Sequence, residues 1–82
     1  MASRLSVSQL LTLISHTAPP KFELVHGRDL TLFIFKDGKA EGIATCEVES
    51  LADIRDGVQL LGYDPTDEWR SKGEVGYVFE KK

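Results

Sequence analysis

Residues 30–48 read Leu-Thr-Leu-Phe-Ile-Phe-Lys-Asp-Gly-Lys-Ala-Glu-Gly-Ile-Ala-Thr-Cys-Glu-Val, two apolar runs around Asp37-Gly38. Asp-Gly between such runs marks a two-residue hairpin, because both central positions of its turn take positive φ. That loop sets Lys36 against Lys39, and the register follows back along both strands. Phe33 then falls opposite Gly42, Phe35 opposite Ala40 and Thr31 opposite Ala44, on a face that continues to Cys46 and Val48 and carries no charge. The other face pairs Leu32 with Ile43, Leu30 with Thr45 and Ile34 with Glu41. A three-residue turn with a bulge would shift these partners.

N-terminal to the hairpin, Lys21 to His26 alternates as a strand and Gly27 offers a turn. Before it, Ser6-Val7-Ser8-Gln9 has capping-box spacing, Leu5 can staple onto Leu10, and Val7, Leu10, Leu11 and Ile14 form a stripe. The spacing predicts a helix over 7–16, stopped by Thr17-Ala18-Pro19-Pro20. On the C-terminal side, a second box at Ser50 and Asp53 opens a helix over 51–61, with Leu51, Ile54, Val58 and Leu61 as its stripe. Gly57 weakens this helix by about 1 kcal/mol, and Leu61-Gly62-Tyr63 reads as a glycine stop. Residues 64–73 read as a polar connection carrying Trp69, with room for one helical turn capped by Thr66, and residues 74–80 alternate as a last strand.

The expected fold is therefore α+β, a single domain over 1–82 with a four-stranded, mainly antiparallel sheet and two helices in the order α-β-β-β-α-β. The last strand is expected beside the first, parallel to it, or beside the third. Two short helices cover about 20 Å, enough for one face of four strands at about 4.8 Å spacing. The uncharged face, with its glycine and alanines, is the natural seat for them. Leu30, Leu32, Ile34 and Ile43 are then left near solvent, as a surface for a protein partner or a second copy, unless the connection carrying Trp69 covers them. A helix on each face would make the same residues ordinary core.

Composition excludes more than it assigns. With one cysteine among 82 residues, no disulfide within the chain and no cysteine metal cluster can form. His16 and His26 lack acidic or cysteine neighbours at metal-ligand spacing, so neither a metal nor another cofactor is expected. His16 at a helix C-terminus suits the dipole, and Cys46 inside a strand reads as a packed thiol. No phosphate-loop or dinucleotide pattern surrounds the glycines, and Asp67-Glu68 are merely adjacent, which disfavours an enzyme. An enzyme using Cys46 or a histidine is the residual alternative. No stretch is long and apolar enough for a membrane span and no secretory signal pattern occurs, so a cytoplasmic protein without membrane contact is expected.

Charge is unevenly spread. Residues 41–68 hold eight acids and one base, net −7, while each flank is +2 and the whole chain is −3. An acidic surface made of Glu49, Asp53, Asp56, Asp64, Asp67 and Glu68 could imitate a nucleic-acid backbone and inhibit a nucleic-acid-binding protein, whereas the plain reading is a solvated helix face. Direct nucleic-acid binding is disfavoured, because the bases are scattered rather than striped. The leading expectation is a small non-catalytic interaction or regulatory protein working through an apolar sheet face.

Overall fold

In the computed structural model, which describes residues 3–48 and 51–82, the order is β1 (Ser3–Leu5), α1 (Val7–Thr17), β2 (Lys21–His26), β3 (Leu30–Lys36), β4 (Lys39–Cys46), α2 (Leu51–Leu60), β5 (Tyr63–Ser71) and β6 (Glu74–Lys81). All six strands form one mixed sheet in the order β1-β4-β3-β2-β6-β5, with β1 parallel to β4 and the other neighbours antiparallel. The overall α+β class agrees with the sequence reading; the four-stranded, mainly antiparallel sheet is corrected to six strands and mixed.

Both additional strands are sheet edges, which explains why their patterns are weak. β1 is only three residues long, too short to alternate visibly, and Arg4 on it pairs with Asp29 at 2.9 Å. β5 occupies the stretch read as a polar connection. Its Pro65, its charged Asp64, Asp67, Glu68 and Arg70, and a register irregularity between Pro65 and Asp67 are features that blunt an edge against further pairing. Lys72-Gly73 turns it into β6, with both residues at positive φ (50° and 81°), the same geometry that Asp37-Gly38 adopts (54° and 78°). This extra pass reverses the last strand, so β6 lies beside β2 but antiparallel to it rather than parallel.

The helices begin and end for the expected local reasons. Ser6, in extended geometry, accepts from the Gln9 amide at 3.1 Å, while the Gln9 side chain takes the Ser6 amide at 2.9 Å. Ala18 closes α1 in the left-handed region and donates its amide to Ile14. Gly62 follows α2 at φ 97° and donates to the Gln59 carbonyl. The second capping box falls partly on Ser50, outside the described residues.

One inserted residue decides which side of β4 meets the helices. From Lys36↔Lys39 through Phe33↔Gly42 the hairpin keeps the register its turn dictates. Between Leu32 and Phe33 the register shifts past Ile43, and the pairs become Leu32↔Ala44, Thr31↔Thr45 and Leu30↔Cys46. A one-residue shift carries the rest of a strand to the opposite face. Ala44 and Cys46 thereby join Leu30 and Leu32, together with Phe22, Leu24 and Phe79, and Leu10, Ile14, Ile54 and Val58 of both helices pack on this layer. The expected solvent-facing set is thus corrected: Leu30 and Leu32 are 0% exposed beneath the helices, and Ile34 and Ile43 are half-buried against the same core.

Contacts between distant residues draw the far parts of the chain together. An added Cβ at Gly57 would lie 2.6 Å from Leu11 Cδ1, so the glycine that weakens α2 also lets the two helices approach. Phe22 meets Tyr63 edge-on at 4.9 Å and stacks on Phe79 at 5.3 Å. The buried Tyr63 hydroxyl donates to the Pro19 carbonyl at 2.7 Å, fixing the proline link against the opposite end of the chain.

Candidate interaction face

With both helices on the Leu30/Leu32 side, the other side of the sheet has no covering element among the described residues. Alternation places Lys21, Glu23 and Val25 of β2, Thr31, Phe33 and Phe35 of β3, Gly42 of β4, Gly76 and Val78 of β6 and Trp69 of β5 there. This is the face the sequence reading assigned to the helices.

Its large rings rest on glycines. An added Cβ at Gly42 would meet Phe33 Cε1 at 3.2 Å, and one at Gly76 would overlap the Trp69 indole. Trp69 lies across β6, and its Nε1 donates to Glu23 Oε2 on β2 at 2.6 Å. The indole shields Gly76, its edge-strand position keeps it half-buried, and Val78 beside it is left 9% exposed. At the other end the Lys21 ammonium stands 5.1 Å from the Phe35 ring centroid, within cation–π range. Val25, Phe33 and Phe35 stay half-buried. The result is an aromatic strip with the half-buried Glu23 inside it and the exposed carboxylates of Asp67 and Glu80 on the same face at its margin.

The helical side is rougher. Grooves of about 640 Å³ and 410 Å³ flank α1, the first bounded by Val7, Leu11 and Leu61, the second by Leu5, Leu13, Ile43 and Ala44. Of the expected partner-binding set, then, only Ile43 lines one of these grooves. Leu60 projects 89% exposed from the end of α2.

The acidic residues are divided between two elements. Asp53 and Asp56 are exposed on α2, and Asp64, Asp67 and Glu68 are exposed along β5. Asp64 lies 3.6 Å from Lys82, and Glu68 lies 3.6 Å from Arg70. Glu49 is outside the described residues.

Cys46 is a free, fully buried thiol whose pKa is pushed up, first by burial and then by the Glu47 carboxylate. The thiolate a nucleophile needs is therefore disfavoured. Leu30 pairs with Cys46 on one side and His26 on the other, which sets those two strands about 10 Å apart. His16 is exposed at the end of α1. Among the described residues no three His, Cys, Asp or Glu side chains gather as a metal site, and no helix is long and apolar enough to cross a membrane.

Sequence reasoning found the Phe33–Gly42 pairing but missed Glu23 and Trp69. Their meeting depends on β5 being a strand, and the one available signal was the Lys72-Gly73 turn. No family model, no curated protein and no solved structure matches the chain.

Proposed function

We propose that this chain is a small non-catalytic interaction module that docks another polypeptide on the uncovered face of its sheet. The observation that carries the reading is the strip of Phe33, Phe35 and Trp69 on a face that neither helix covers. Aromatic side chains supply large contact area at small ordering cost, and such surfaces mark interaction sites. The edges are poorer candidates, one being three residues long and the other carrying a proline and charges. The single free cysteine supports a cytoplasmic setting.

An acidic inhibitor of a nucleic-acid-binding protein is the second reading, supported by exposed Asp53, Asp56 and Asp67 and weakened by the local bases beside Asp64 and Glu68. Site-resolved photo-crosslinking separates the two. A benzophenone amino acid in place of Phe33 is expected to give a discrete adduct that persists at high salt, while the same group at Asp53 gives none. A salt-sensitive adduct at Asp53 alone would replace the apolar reading with the acidic one.

A further inference from the structure

We propose that the uncovered sheet face receives a basic segment of its partner, with an arginine or lysine side chain set against Glu23 between Phe33 and Trp69. The proposal rests on the docking reading above and adds the chemistry of the occupant.

Glu23 has Phe33 and Val78 as its cross-strand neighbours, and it is half-buried. One carboxylate oxygen, Oε2, accepts the Trp69 indole N–H. No basic side chain among the described residues comes within 4.0 Å of it. Lys21, two positions back on the same strand, is turned over Phe35 instead. While the face is open, water completes the solvation of Glu23. Any polypeptide laid over the strip removes that water, and a desolvated carboxylate without a counter-charge opposes binding. An occupant that brings a cation meets the requirement and also gains from the ring faces nearby. The net charge of −3 favours the approach of such a segment. A second copy fits less well, since it adds a second Glu23 to the same apolar layer and the Lys21 that comes with it is already turned over Phe35.

The sole tryptophan makes the site its own reporter. The test is titration of Trp69 emission with a short blocked peptide alternating valine and arginine, with a citrulline-for-arginine peptide as the neutral isostere. The arginine peptide is expected to bind saturably and at least about tenfold more tightly than the citrulline peptide. Glu23→Gln keeps an acceptor for the indole N–H, so it preserves the platform while removing the charge, with thermal unfolding confirming the fold. It is expected to abolish the preference for arginine, whereas Asp53→Asn with Asp56→Asn leaves it intact. Equal binding of both peptides by the wild type would overturn the role of Glu23 and leave docking standing. An arginine preference that survives Glu23→Gln, or is lost with the two α2 acids, would assign the effect to diffuse charge. Failure of every peptide, or a dimer that dissociates on Phe33→Glu, would also overturn the proposal. Only the loss of the Phe33 crosslink would overturn the docking reading itself.

Discussion

Strand β3 carries both sides of the molecule in seven residues. Leu30 and Leu32 are fully enclosed under two helices, while Phe33, one step past Leu32, and Phe35, two further on, face the side that neither helix covers. Six strands at about 4.8 Å spacing make a layer of roughly 29 Å, and two helices of about 10 Å each cover about 20 Å of one side, with nothing left over for the other. The enclosed side gains its stability from interdigitated aliphatic groups. The other side conceals its backbone with rings laid on Gly42 and Gly76, so it depends on a few contacts that a partner can join.

The sharpest way to break this contrast is truncation on each side of β3. Leu32→Ala is expected to lower unfolding stability in urea by about 2–5 kcal/mol, the range for a large-to-small change in a closed core. Phe33→Ala, despite the larger side chain, is expected to cost less than half as much; equal losses would mean that the uncovered side is packed as tightly as the core. Next in size is Gly76→Ala, where the added methyl overlaps a rigid indole and overpacking costs about 1–3 kcal/mol. Trp69 emission should shift to the red as the ring leaves Glu23. Titration of the enclosed side comes third. The Cys46 thiol is raised above 9.0 in the fold, so the unfolded chain ionises first and stability falls as pH rises through that value. The slope contributed is at most about 1.4 kcal/mol per pH unit, and it should be absent from Cys46→Ala below the more alkaline range in which Tyr63, its hydroxyl also pushed up by burial, adds a slope of its own. The smallest effect is expected for Gly57→Ala, because its clash is with the movable end of Leu11 and the helix regains about 1 kcal/mol of propensity. A change in urea midpoint as large as that of Gly76→Ala would show that the helix contact is as unyielding as the indole.

Much of the fold was legible where one local rule acted alone. The α1 capping box, the glycine stop after α2 and the register from Lys36 back to Phe33 each depend on a few adjacent residues, and each stands as read. What escaped depends on tertiary competition. The edge strand β5 is wet on most of its length, so Asp64, Thr66 and Glu68 hide its periodicity. The slip past Ile43 leaves no compositional mark, since isoleucine suits a regular strand equally well. That slip moved Ala44 and Cys46 from the Phe33 side to the Leu30 and Leu32 side, where the helices pack. The general shortage of covering material was readable from length; the side left bare was not, and neither was the meeting of Glu23 with Trp69 across β6.

Ile43 acts as a parity device within β4. Everything before it is phased with the hairpin tip and everything after it with the core, because the bulge takes this one residue out of the ladder whatever its side chain. Exchange for valine or leucine should be tolerated there, and deleting that single position should close the bulge and straighten β4 while leaving Ala44 opposite Leu32, Cys46 opposite Leu30 and Thr45 on the open side.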